Sequence, residues 1–149
     1  MMKMIKFSIR RELLVFFIVF TVALCFISRV GCEEIMEEQS MEYLKEGIEA
    51  QKSGELDRAI SLYSKAIYTN PKNIKAHNNL GTAYAQKGKV LKAEEQYNRA
   101  IAIDTYYSVA LKNLAIIYAE RKDYEKFFYY WKRATGLDTY SPFMIDEEE

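Results

Sequence analysis

The sequence predicts an all-α fold: three tandem helix-turn-helix repeats forming an α-solenoid, preceded by an N-terminal hydrophobic helix. Three observations predict it. First, four columns of residues keep one spacing of 34: Ala66, Ala100 and Ala134; Tyr63, Tyr97 and Trp131; Gly47, Gly81 and Ala115; Gly54 and Gly88. A period of about 20–50 residues marks repeat arrays, in which each unit buries its apolar face only against its neighbours. Second, Ala59 and Ala66 stand seven apart, as do Ala93 and Ala100, with Tyr63 and Tyr97 between them. That spacing puts small and aromatic residues on one side of a helix. Third, Gly47 and Gly81 fall inside helical stretches, where glycine costs about 1 kcal/mol relative to alanine. They suit a crossing too close for a Cβ.

Residues 1–32 read as an address. Lys3, Lys6, Arg10 and Arg11 precede an apolar run over residues 13–27, LLVFFIVFTVALCFI. A basic flank before ~7–15 apolar residues is the pattern of a secretory signal, whereas a bilayer span needs about 20. Three outcomes stay open. One is an uncleaved signal anchor: a single-pass cell-membrane segment with the repeats on the extracytoplasmic side. Another is a lipoprotein, because Arg29-Val30-Gly31-Cys32 resembles a lipobox, apart from Arg where Leu is usual; Cys32 would carry the lipid. The third is cleavage and secretion. Cys32 is the only thiol beyond the apolar run, so the repeats have no disulfide framework.

Residues 33–39 form an acidic linker that extends the first helix or joins it to the N-terminal segment. The repeats then occupy residues 40–141 as units 40–73, 74–107 and 108–141. Helices are expected near 40–53, 56–69, 74–87, 90–103, 108–121 and 124–135. Gly54 and Gly88 end the first helices as left-handed caps. Asn70-Pro71 stops the second helix of unit one; Asp104-Thr105 and Asp138-Thr139 hold that place without proline, a weaker stop. Unit three ends in an aromatic helix with Gly136 as its stop. Residues 139–145 are expected to fold back over it or to leave it exposed, and 142–149 form an acidic tail.

The repeats resemble the tetratricopeptide repeat (TPR). Unit two carries Leu80, Gly81, Tyr84, Gly88, Ala93, Tyr97 and Ala100 at the family's positions. Unit one departs with Glu46 for Leu and Ala50 for Tyr; unit three departs with Ala115 for Gly and Phe127 for Ala. The resemblance implies a concave groove lined by the first helices. The residues it places there are Leu44 and Ile48; Lys75, Asn78, Asn79 and Thr82; Val109, Lys112, Asn113 and Ile116. Asn79 and Asn113 are 34 apart, and an amide both donates to and accepts from a peptide backbone. A carboxylate clamp for acidic chaperone tails is not expected. Its positions hold Leu44, Ile48, Asn79, Val109 and Asn113, of which only Asn79 fits.

A second surface is aromatic. Tyr124, Phe127 and Trp131 can face the core of the last unit, but Phe128, Tyr129 and Tyr130 cannot all join them. They form a candidate interface, since an exposed aromatic patch marks a contact surface.

Charge and chemistry exclude other classes. The chain carries 21 bases and 21 acids, but residues 1–32 hold five of the bases and one of the acids. The remaining 16 bases and 20 acids leave the rest of the chain near −4, with no basic stripe for nucleic acid. His77 is the only histidine, so neither a metal site nor a triad can be assembled around it. No phosphate-binding glycine loop occurs. The expectation is a non-enzymatic protein without cofactor that binds a protein or peptide as an assembly or scaffold factor. The alternative is a structural protein that self-associates into a homo-oligomer through unit three.

Overall fold

A computed structural model of the chain describes residues 20–21, 29 and 31–136, and every regular element among them is helical. The chain divides into two compact units, Met1–Glu38 and Gln39–Glu149. Residues 31–52 are helical (α1). Then come α2 (Leu56–Thr69), α3 (Ile74–Gln86), α4 (Val90–Ile103), α5 (Ser108–Glu120) and α6 (Tyr124–Thr135). Each of α2 to α6 lies within one residue of its expected span. The stretch read as an acidic linker is helical.

The N-terminal membrane anchor is overturned. Among the described residues, no helix is long and apolar enough to cross a membrane. The helix that is described, residues 31–52, carries Glu33, Glu34, Glu37 and Glu38 in its first turns, and carboxylates there are incompatible with hydrocarbon. The apolar run itself, residues 13–27, lies outside the described residues except Phe20 and Thr21. So do the expected fold-back at 139–145 and the tail at 142–149.

The helix ends follow from side-chain chemistry. Asn73 caps α3, its side chain accepting from the Ala76 amide at 3.0 Å, and Asp123 caps α6 by accepting from Lys126 at 3.2 Å. Each satisfies an amide that the first turn leaves without an internal partner. Asn70 and Asp104, 34 apart, end α2 and α4 in extended conformations. Their side chains accept from the amides of Lys72 and Tyr106, two residues on, at 2.9 and 3.0 Å. The stop is therefore the Asx turn rather than the proline, so Asp104 is as good a stop as Asn70. Gly54 and Gly88 take φ of +80° and +71° at the turns after the first helices. In unit three that place is held by Lys122, whose φ is +57°, a conformation in which a Cβ is strained.

Units one and two share a core of Leu44, Ala50, Ala59, Leu62, Tyr63, Ala66, Ala76, Leu80 and Ala83. A second core joins α4 to α5 through Ala93, Tyr97, Ala100, Ala110, Leu114, Ile117 and Tyr118. Gly47 and Gly81 are buried where a tyrosine from the paired helix lies across them. A Cβ on Gly47 would stand 2.6 Å from the Tyr63 ring, and one on Gly81 2.7 Å from the Tyr97 ring. The absence of a side chain thus makes room for an aromatic wedge, and burial pushes the Tyr63 phenol up to about 12. In unit three the pair changes together: Ala115 is fully buried, while Trp131 stays half-buried and stacks on Phe127 at 5.9 Å.

Unit one's departures lie on one face. Glu42, Glu46, Glu49 and Ala50 are the equivalents of Ala76, Leu80, Ala83 and Tyr84, which pack against the preceding unit. On α1 the three glutamates are exposed and, with Lys45, Ser53 and Arg58, line an open cleft of about 340 Å³. Polar groups here replace the contact that the interior units make, as the outer face of a terminal repeat requires.

One ionic cluster spans α4, α5 and α6. Glu94 accepts hydrogen bonds from the Tyr118 hydroxyl and, at 2.8 Å, from the Arg121 guanidinium. Partial burial raises the Glu94 pKa, but those two hydrogen bonds and the charges of Arg121 and Lys126 outweigh it, leaving a net value below the ordinary 4.5. A carboxylate held lower in the folded than in the unfolded state stabilises fully above its unfolded value, and that contribution is lost as pH falls through the folded one. The urea midpoint should therefore fall as pH drops below about 4.5, and Glu94→Gln should remove part of that fall. Equal slopes for the two proteins would contradict the assignment.

Candidate functional site

The residues expected in a groove are carried by the first helices α1, α3 and α5, and they fall into three kinds: buried, exposed and half-buried. Leu44 and Asn78 do not line an open surface. They are 3% and 5% exposed, because the equivalent position in each unit is covered by the next. Lys112, at that position in unit three, is exposed. Lys75, Val109 and Ile116 are also exposed, the last two at 46% and 53%. Ile48, Asn79, Thr82 and Asn113 are half-buried.

The amides are joined into a ladder. Asn113 donates to the Asn78 carbonyl oxygen at 3.1 Å, and Asn78 donates to that of Asn79 at 3.3 Å. Thr82 donates to the Asn78 backbone carbonyl at 3.1 Å and accepts from the Tyr97 hydroxyl at 3.2 Å. The expected pair, Asn79 and Asn113, is thus coupled through Asn78. Whichever way the three amides are oriented, the chain ends in one unfilled NH₂ and one unfilled C=O, carried by Asn79 and Asn113.

A second amide pair links α1 to α3, and of its two members Gln51 is not expected at the groove from the sequence. Gln51 donates to Gln86 at 2.8 Å and accepts from the Tyr63 hydroxyl at 2.7 Å. It joins α1 to α3 as the asparagines join α3 to α5. The signal was present in the sequence: Gln51 and Gln86 are 35 apart, as are Asn78 and Asn113. One helical turn from the asparagines lie Lys75 and Thr82 on α3 and Val109 and Ile116 on α5. Such a surface can exchange hydrogen bonds with a peptide backbone and shelter an apolar side chain.

The aromatic surface divides similarly. Only Tyr129, 55% exposed, stands out from the expected trio. Tyr130 stacks on Tyr118 with the rings parallel at 5.5 Å, and Phe128 meets Phe127 edge-on at 5.0 Å. Cys32 is an exposed free thiol. His77 is buried, with Nδ1 2.9 Å from the Gln96 side chain and Nε2 3.2 Å from the Pro71 carbonyl, so both ring nitrogens serve packing. Among the described residues, no group of three metal-binding side chains assembles.

Comparison with known proteins agrees with the repeat fold. A family model described as TPR repeat matches residues 52–88, and one described as tetratricopeptide repeat matches residues 74–107. The chain is similar to the TPR domain of Sgt2 from Aspergillus fumigatus, at 28% identity and TM-score 0.60, over 64% of this chain and 63% of that one. It is similar to MamA at 25% identity and TM-score 0.62, over 64% of this chain and 56% of that one. The second TPR of Spaghetti (RPAP3), solved with the HSP90 peptide SRMEEVD, shares the fold at 22% identity and TM-score 0.66. That match covers 71% of this chain and 97% of the other. No curated protein matches.

Proposed function

We propose that this chain, a tetratricopeptide-repeat protein, holds an extended protein or peptide segment across the face of α1, α3 and α5, and acts as an assembly or scaffold factor. The observation that carries the reading is the asparagine ladder with its two unfilled ends, flanked by the exposed Val109 and Ile116. TPR proteins are interaction modules. The Spaghetti domain was solved with the HSP90 peptide SRMEEVD, but the groove read here is different. The places of a carboxylate clamp hold a buried Leu44, Ile48, Asn79, Val109 and Asn113, of which only Asn79 fits. Side-chain amides recognise backbone, so the ligand's C-terminal carboxylate is expected to be dispensable.

The test is selection from a random-peptide display library, followed by titration of the best peptide against the full chain. Amidating the peptide's C-terminus should change Kd by less than about twofold. Asn79→Ala with Asn113→Ala should weaken binding about tenfold, the loss of one or two hydrogen bonds. A double variant that melts as a folded protein yet binds as tightly as the wild type would refute the reading.

Self-association through unit three is the second reading, supported by the exposed Tyr124 and Tyr129 on α6. It calls for a sedimentation coefficient that rises with concentration and stops rising in Tyr129→Ser.

A further inference from the structure

The two seams between units are built from different chemistry at one equivalent position. Unit one has Ile60 there and unit two has Glu94, 34 residues later. Ile60 packs against the core that joins α1, α2 and α3, as does Tyr84 from the far side of that seam. Glu94 faces Tyr118 and Arg121, both carried by the stretch from α5 to its C-cap, and accepts a hydrogen bond from each. From α6, Lys126 lies 4.9 Å over the Tyr118 ring, and Tyr130 stacks on that ring. The first seam closes at its edge by a Lys87–Asp57 ion pair and by Gln51 to Gln86. The second closes on the groove side by Asn113 to Asn78.

Charged partners lose hydration when a seam closes and regain it when the seam opens, whereas apolar partners lose only by opening. The Glu94 side chain is 20% exposed and that of Arg121 37%, so water already reaches the pair. The alternative charge relay, Lys87 with Asp57, has its carboxylate at 86% exposure. It decorates the rim of the first seam; both seams have apolar interiors, and they differ in the charge that the second holds at Glu94.

We infer that the seam between units two and three is the hinge of the array, latched by Glu94, and that α5 and α6 come away from α1–α4 together and, with no neighbour to bury their apolar face against, unfold as one unit. The first seam stays shut. Opening separates Asn113 from Asn78 and so changes the spacing of the amide ladder. That this alters ligand binding rests on the groove reading above; the motion itself does not, and its test uses no ligand.

Hydrogen exchange on the full chain at neutral pH tests it, with wild type, Glu94→Gln and Glu94→Ile compared helix by helix. Glu94→Gln should lower protection of α5 and α6 about tenfold and leave α2 and α3 unchanged. Glu94→Ile copies the first seam and should restore that protection. Raising salt from about 0.05 to about 1 M should mimic Glu94→Gln in the wild type and do nothing to Glu94→Ile. Unchanged exchange in Glu94→Gln overturns the hinge, and so does a loss spread evenly over all helices. A loss in Glu94→Ile as large as in Glu94→Gln also overturns it, because shape rather than charge would then hold the seam.

Discussion

Gly81→Ala should destabilise the array by about 2 kcal/mol, although alanine is the better helix former by about 1 kcal/mol. The added Cβ would stand 2.7 and 2.8 Å from two carbons of the Tyr97 ring and 3.1 Å from the Ala93 carbonyl oxygen. A ring can tilt, but the carbonyl belongs to the facing helix, and moving it moves the crossing. Overpacking of this kind costs typically about 1–3 kcal/mol and sometimes more, which wins over the propensity gain. For a domain of this size, 2 kcal/mol lowers Tm by roughly 10 °C, readable by circular dichroism. Gly47→Ala should cost less, because the three atoms nearest its new Cβ all belong to the Tyr63 ring, which can tilt. A cycle separates the two contacts: in a Tyr97→Leu background Gly81→Ala should cost less, and the loss that remains belongs to the Ala93 carbonyl. Equal losses in both backgrounds would place the strain elsewhere than on the ring.

The second large effect is expected at Ser40, which is fully buried. Its hydroxyl donates to the Ala66 carbonyl at 2.8 Å and accepts from the Asn73 side chain at 2.9 Å. One small group thus ties α1 to the end of α2 and to the cap of α3. Ser40→Ala removes a donor and leaves the Asn73 amide with only a 4.0 Å approach to the Met41 sulfur. A buried polar group left without its partner costs about 1–3 kcal/mol, so a loss of about 2 kcal/mol is expected in urea unfolding. Asn73→Ala should cost about 1 kcal/mol more, because it also removes the cap bond to Ala76. The double variant should fall well short of the sum, since both changes break the same bond. Additive losses would show that the two side chains act separately.

These residues also show what the sequence discloses and what it withholds. Gly81 and Tyr97 were legible because a mid-helix glycine and a repeating tyrosine report one close crossing, and the columns placed α2 to α6 to within a residue. Ser40 carries no such mark; a serine at a helix start is ordinary until its neighbours are known. The groove was half legible. A 34-residue period tells which positions are equivalent, but not which ones touch. The two amide contacts between successive first helices, Asn78 with Asn113 and Gln51 with Gln86, each span 35 residues. Each unit meets the next one position further along. That offset turned Asn78 from a lining residue into the rung between Asn79 and Asn113, and it hid Gln51. Leu44 was misplaced for the same reason, being covered by the following unit. In unit three the period holds but the chemistry drifts: Lys122 adopts a glycine's conformation, and Ala115 with Trp131 replaces the glycine–tyrosine pair. No one substitution in a column announces such a paired exchange.

The polar face of α1 has a consequence for anyone building with this module. Glu42, Glu46 and Glu49 stand where the interior units keep Ala76, Leu80 and Ala83. A repeat grafted onto that side would seal carboxylates into a dry joint, at a cost of several kcal/mol per unpaired charge. Restoring the interior residues at those three positions would make the same surface adhesive. Three glutamates therefore give the array a direction, one end already terminated by chemistry rather than by length.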